Sequence, residues 1–243
     1  MIAHDGTTTM DRSSLTPDES RATAWHALAA FEVAERLESP TGGLSDAEVA
    51  RRRGIFGENA LPQKRPPTVL EVFLRQFMSP LIYVLLAAGI ISILFADVTD
   101  AGFIFVVILL NAAIGTFQEV RAERSATALQ QMLRIHARVR RDGREVTVPA
   151  EDLVPGDRVV LEAGDRVPAD IRVIQARSLT VDESLLTGES HAVEKNPDPI
   201  NASAPLADRR NMLYAGSTVT TGRGMGVVVA TGQYAEIGQI AET

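Results

Sequence analysis

Two uncharged apolar runs stand out along the chain, residues 81–96 and 101–117, with only Asp97-Val98-Thr99-Asp100 between them. Neither run keeps a polar stripe at helical spacing, so each would form a helix that is apolar all round. About 20 apolar residues cross a bilayer as a helix, and the flanking Ser79-Pro80 and Val98-Thr99 extend two runs that are each slightly short. The pattern predicts a transmembrane helical hairpin over residues 79–118. A buried hairpin of a soluble protein would keep a polar face, and a cleaved signal peptide would follow a short basic N-terminus instead of lying deep in the chain. Asn111, inside the second run, reads as a side chain bonded to a neighbouring helix in preference to an ion ligand.

Residues 118–133 are rich in helix formers, with Ala122, Ala126, Leu129 and Leu133 recurring on one face. They predict that the second apolar helix continues as a stalk over residues 119–134. The period then changes. Residues 136–141 and 144–148 alternate around Asp142-Gly143, a strong hairpin signal. Short β-branched stretches follow at 159–161, 171–174, 179–181, 213–220 and 226–230, so residues 135–243 are expected to form a compact β-rich domain. The arginines from Arg134 to Arg144 read as a solvated face.

Ahead of the apolar runs, residues 1–24 carry no periodic apolar pattern until the chain reaches Trp25 and are expected to be a disordered tail. Residues 25–37 read as a helix, and Ser45-Asp46-Ala47-Glu48 opens a second that Gly54 should end. Residues 25–78 are thus expected as a helical N-terminal segment, with Pro62, Pro66 and Pro67 marking a linker towards the apolar runs. No internal repeat is present.

Composition sharpens this picture. In 243 residues, 45% are hydrophobic, so some apolar surface must face something other than water. A net charge of −7 argues against a nucleic-acid partner, which needs a concentrated basic face. With Cys 0, neither disulfides nor thiolate metal sites are possible. The basic residues Lys64, Arg65 and Arg75 precede the first run, and Arg121, Arg124, Arg134 and Arg138 follow the second. By the positive-inside rule both flanks are cytoplasmic and the loop lies outside, in a multi-pass protein of the cell membrane.

The candidate chemistry lies in Thr187-Gly188-Glu189-Ser190. Gly188 lets the main chain approach a ligand closely, Glu189 offers a base or a water-positioning group, and Thr187 and Ser190 add hydroxyls. Taken alone, the four residues could equally be a polar surface turn. Their surroundings carry more. Val154-Pro155-Gly156-Asp157, then Gly164-Asp165 and Pro168-Ala169-Asp170, precede the turn in an order and spacing that resemble the actuator domain of P-type ATPases. Trp25-His26-Ala27-Leu28 and Gly57-Glu58-Asn59-Ala60-Leu61-Pro62 resemble the N-terminal cytoplasmic segment of the calcium-type and sodium/potassium-type cation pumps. Residues 111–129 are similar to the second membrane helix of those pumps running into its stalk. The resemblance covers the chain from Trp25 onwards.

That resemblance implies the N-terminal portion of a type II, calcium-pump-like ATPase: a helical N-terminal segment, a two-helix transmembrane hairpin and a β-rich actuator domain. In such a pump Glu189 would orient and deprotonate the water that hydrolyses an aspartyl-phosphate, Gly188 would allow close approach, and Thr187 and Ser190 would shape the loop. No cofactor or metal site is expected within this chain; ATP and Mg2+ belong to the complete pump. The implied partners are the lipid bilayer and the remaining pump domains. The sequence contains no Asp-Lys-Thr-Gly-Thr phosphorylation motif, so this polypeptide by itself is not expected to hydrolyse ATP. Ala192 stands where the family usually has proline, which should alter loop stiffness and not chemistry. The absence of cysteine excludes the cysteine-bearing metal-binding domains of heavy-metal pumps, and two apolar runs ahead of the β domain fit the calcium class better. The transported ion is not legible, with calcium the first expectation. The alternatives are a two-span binding module that regulates an intact pump, and a soluble β-domain protein whose turn is coincidental. Co-purification with a complete pump would favour the first alternative; solubility without detergent would favour the second.

Overall fold

A computed structural model describes residues 16–60, 67–95, 98–132, 134–188 and 191–241. The chain divides into two compact units, one formed by Met1–Gln63 with Ile135–Thr243 and the other by Lys64–Arg134.

The first unit is built on an antiparallel sheet whose strands are β1 (His136–Arg141), β2 (Arg144–Pro149), β3 (Arg158–Glu162), β4 (Asp170–Asp182), β5 (Val193–Glu194), β6 (Met212–Leu213) and β7 (Thr218–Ala230). Their order is β2-β1-β3-β7-β4-β5, with β6 also paired to β4. The Asp142-Gly143 turn closes the β1–β2 hairpin in the register Arg141↔Arg144, with φ of 47° and 76°. Two positive φ values in a two-residue loop match the right-handed twist of the strands it joins.

The strands β4 and β7 correct the expectation of separate short strands at 171–174, 179–181, 213–220 and 226–230. Each of β4 and β7 is a single strand of 13 residues. Register shifts between Val173/Gln175 and Arg177/Thr180 let their pairing continue past the polar stretch Gln175–Ser178, which breaks the alternation along the sequence.

Both faces of this sheet are covered. Ile171, Val173, Val219 and Val228 point into one core with Val139, Leu153 and Val159, while Val227, Val229 and Ile174 point into a second. This is why residues 226–230 read as a continuous apolar run and not an alternating one. The second core is closed by Trp25, Val33 and Leu37 of the N-terminal segment. Fully burying side chains such as Val33 and Leu37 contributes roughly 1.5–3 kcal/mol each.

The N-terminal segment therefore differs from its sequence reading in four ways. Residues 17–22, expected within a disordered tail, form α1 (Pro17–Ala22), started by a capping box between Thr16 and Glu19 and tied down where Ser20 Oγ donates to the Val229 carbonyl at 2.6 Å. Residues 1–15 of that tail lie outside the described residues. The expected helix over 25–37 is broken into a turn of 3-10 helix, Trp25–Ala27, and α2 (Ala30–Arg36), because Trp25 must turn inward. The helix opened at Ser45, α3 (Asp46–Phe56), runs through Gly54 and ends at Gly57. Finally, the stretch 25–78 does not stay together: its first part covers the sheet, and its last part belongs to the second unit.

Four polar side chains, three of them buried and that of Asn59 half-buried, hold this cover. Arg172, fully buried, donates to the carbonyls of Trp25 (3.1 Å), Leu28 (2.7 Å) and Pro197 (3.0 Å). Asn211 Nδ2 donates to the His26 and Asp198 carbonyls, both at 2.8 Å. Arg158 donates to the Ser39 carbonyl at 2.8 Å. Asn59 Nδ2 donates to the carbonyls of Ala150 (2.9 Å) and Pro168 (2.8 Å), and its Oδ1 accepts from the Gly232 amide (2.8 Å).

The second unit consists of α4 (Val69–Gln76), α5 (Pro80–Leu94) and α6 (Val98–Met132). In α6, the stretch Thr99–Ser125 is long and apolar enough to cross a membrane, with a mean hydropathy of 1.9. The 15 residues of α5 are short for this on their own, and α4 and α5 meet at a bend of 60°. Ser79-Pro80 thus does not extend the first apolar run as a straight helix: proline lacks the amide hydrogen that a continuous helix needs and disfavours helical geometry in the residue before it. Within the unit, α5 and α6 pack through Ile82, Ile108 and Ala112, and Gln76 Nε2 donates to Glu119 Oε2 at 2.8 Å. Asn111 is exposed on α6. Asp97 and Leu133 lie outside the described residues.

Asn59→Ala strands two buried carbonyls and one amide, and is expected to destabilise the first unit by about 2–4 kcal/mol. Urea unfolding followed by the fluorescence of Trp25, the single tryptophan, measures it; a loss within 0.5 kcal/mol would show that the clamp contributes nothing.

Candidate functional site

The motif residues that precede the candidate turn prove to be structural. Asp157, fully buried, accepts from Arg141 Nε (2.9 Å) and Nη2 (2.7 Å) and from the Val154 amide (3.0 Å). Gly156 leaves room for Arg52, whose guanidinium would collide with a Cβ there and donates to the Leu37 and Pro155 carbonyls. Asp165 accepts from Arg138 and from the Glu162 amide, both at 2.8 Å. The arginine cluster expected as a solvated face is corrected accordingly: Arg141 is buried in a two-bonded pair, and Arg138 is paired with Glu162 and Asp165.

Asp170 sits at the start of β4 and is buried, accepting from the Ala215 amide (2.9 Å) and the Glu236 amide (2.7 Å). The second bond holds the first residue of α8 (Glu236–Ala241). Burial pushes its carboxyl up to about 7, against the two amides, which favour the charged form.

The candidate turn grows from the end of β4. Asp182 accepts from the Ser184 amide at 3.0 Å, starting the single turn α7 (Ser184–Thr187). Gly188 ends it with φ 72° and ψ 0°, a left-handed conformation that other residues adopt only with strain. Among the described residues beyond its chain neighbours, none comes within 4 Å of where a Cβ on Gly188 would stand, and Gly188 itself is exposed. Leu186 packs into the second core, whereas Leu185 is 61% exposed. The chain then returns as β5, paired to β4 through Thr180↔Glu194 and Val181↔Val193.

The turn is closed at its base by a buried ion pair. Lys195 Nζ lies 2.6 Å from Glu183 Oε1, and both side chains are almost wholly buried. Burial raises the Glu183 carboxyl and lowers the Lys195 ammonium, so each group depends on the other to remain charged. Of the predicted site residues, the structure therefore places Gly188 and the backbone of Thr187 on an exposed, strand-anchored turn. Glu189 and Ser190 lie outside the described residues, as does the side chain of Thr187. Sequence reasoning did not find the Glu183–Lys195 pair, because each residue stands beside another charge, Asp182 and Glu194, and reads as part of a polar surface. Among the described residues, no group of three or more histidines or carboxylates gathers as metal ligands.

The described part of the turn thus lies at the surface of the β unit, anchored between β4 and β5. Residues 131–243 match the P-type ATPase actuator domain, and residues 25–92 match the N-terminus of cation transporter/ATPases. A probable cation-transporting ATPase F of Mycobacterium tuberculosis is 49% identical over 222 residues, which make up 91% of this chain and 24% of that protein. A calcium-transporting ATPase of Listeria monocytogenes is 42% identical over 212 residues, 87% of this chain and 24% of that protein. A cation-transporting ATPase of Synechocystis is 44% identical over 211 residues, 87% of this chain and 23% of that protein. The chain belongs to the P-type cation-transporting ATPase family, of which it carries the N-terminal segment and the actuator domain. It spans about a quarter of the length of the curated relatives it matches.

Two outcomes follow from the site's buried charges. Between its ordinary value of 3.8 and its folded value of about 7, Asp170 holds a proton when folded that the unfolded chain releases. Its contribution to stability is therefore complete below about pH 4 and is lost as pH rises through 7, at up to about 1.4 kcal/mol per pH unit. Urea unfolding of the chain and of Asp170→Asn between pH 5 and 8 should show the difference in stability shrinking with rising pH; a pH-independent difference would rule out a raised pKa. Lys195→Met, which removes the ammonium paired with the buried Glu183 carboxylate, should destabilise the first unit by about 3–5 kcal/mol, with Glu183→Leu/Lys195→Met recovering most of the loss. Equal losses in the single and double variants would dissociate the two side chains energetically.

Proposed function

We propose that this chain supplies the actuator and the N-terminal cytoplasmic segment of an ATP-driven cation pump, in which Thr187-Gly188-Glu189-Ser190 positions water against an aspartyl-phosphate carried by another part of the pump. The observation that carries this reading is the exposed turn at Gly188, held by the buried Glu183–Lys195 pair and open to an incoming group. Glu189 takes the proton of the attacking water, which becomes covalently bound to phosphorus as the aspartyl oxygen leaves. Gly188 lets the main chain come close, and Thr187 and Ser190 shape the turn. ATP and Mg2+ act at the domains beyond this segment. Calcium is the transported ion favoured by the names of several relatives.

In the same reading, α5 and α6 form a hairpin that crosses the cell membrane twice, with both flanks in the cytoplasm. Its support is the apolar length of α6, the packing of α5 against it and the basic residues on both flanks. Turning of the actuator would then pull on α6, coupling phosphate hydrolysis to movement of the membrane helices.

In the complete pump, Glu189→Gln should leave phosphorylation by ATP intact and slow phosphoenzyme breakdown by roughly 10²-fold or more, because the turn is kept and the base is lost. Chase of radiolabelled phosphoenzyme measures this, and decay at the normal rate would remove Glu189 from the role.

A further inference from the structure

The second unit contains an open groove of about 970 Å³ between α4 and α6. Val69, Leu70 and Phe73 line it from α4, and Phe117, Arg121 and Arg124 line it from α6. The spacing of the last three puts them on one helix face, so the lining passes along α6 from an aromatic ring to two guanidiniums one turn apart. Leu70 and Phe117 are 66% and 67% exposed. Arg75 reaches Glu119, but among the described residues neither Arg121 nor Arg124 has a carboxylate partner.

We propose that this groove binds one anionic phospholipid, with an acyl chain against Val69, Leu70, Phe73 and Phe117 and the phosphate held by Arg121 and Arg124. The order of chemistry along the groove is that of an amphiphile with an anionic head. Guanidinium forks match phosphate oxygens in two-bonded geometry, and anionic lipid adds a net charge that a zwitterionic headgroup cancels with its own cation. A second apolar helix would fill the same groove but would bring no anion to the arginine end. The helix α4 also has the character of an interfacial element, capped at Thr68, apolar on its groove side and bent by 60° from α5. The proposal rests on the reading that α6 crosses a membrane.

The test uses the whole 243-residue chain in vesicles of equal parts phosphatidylcholine and phosphatidylglycerol. A carbonate wash comes first; release of the chain would overturn the membrane reading and the lipid site with it. Retained protein is extracted in mild detergent and its bound lipid counted by native mass spectrometry. One phosphatidylglycerol per chain is expected, in about tenfold preference over phosphatidylcholine. Arg121→Gln/Arg124→Gln should abolish the preference, while Arg177→Gln/Arg223→Gln, an equal loss of charge from exposed positions on the first unit, should leave it unchanged. Far-ultraviolet circular dichroism checks that the variants keep their helices. A membrane-retained chain without the preference, a preference that survives loss of Arg121 and Arg124, or a lipid-free dimer covering the groove would each overturn the lipid site and leave the membrane reading standing.

Discussion

Even pulled down to about 10 by burial, the guanidinium of Arg172 remains charged at neutral pH, and it lies on the sheet shielded from solvent. It is satisfied by main-chain carbonyls at Trp25, Leu28 and Pro197. A buried charge left without partners is far more costly than the hydrogen bonds it replaces, so the sheet cannot close on this face unless the N-terminal segment is in place. The same face carries Ile174, Val227 and Val229, which need Trp25, Val33 and Leu37 as an apolar cover. Charge satisfaction and hydrophobic burial thus make the same demand. They explain why two segments separated along the chain by an apolar helical unit form one compact body.

The residues around the candidate turn divide by function in a way that their spacing does not reveal. Asp157, Asp165 and Asp170 are carboxylates that precede the turn along the chain, and each is bound by amides or arginines of the scaffold. What they provide is order in the connections of the sheet. The Glu183–Lys195 pair does the same at closer range, fixing the two ends of the segment that emerges from β4 and returns as β5. The base of the turn is thus held, while the left-handed Gly188 stays exposed.

The second unit follows a different solvent logic. Most of α6 faces outward with apolar side chains, and in its C-terminal half Gln76 and Arg75 of α4 meet Glu119. Such a distribution suits a medium that replaces water along most of the helix and gives way to it near Glu119. The bend ahead of Pro80 turns α4 out of the line of α5, so its apolar residues face the groove beside α6.

Much of this was legible along the chain. Asp142-Gly143 determined its hairpin because only a few residue pairs accept two positive φ values, and the uncharged runs determined helices that are apolar on every side, because no alternation interrupts them. The order of short motifs around Thr187-Gly188-Glu189-Ser190 determined the family, which the matches to residues 25–92 and 131–243 show. Tertiary structure alone decided that residues 17–22 are helical, since a short helix gains its stability from burying Ser20 against β7 and not from its own propensity. It alone decided that Arg141 is buried while its neighbour Arg140 pairs at the surface, and that Glu183 meets Lys195 across the base of a turn. Local pattern reports which surfaces a segment can bury. The partner that buries them, or neutralises a charge within them, comes from residues distant in sequence, and only the folded chain brings the two together.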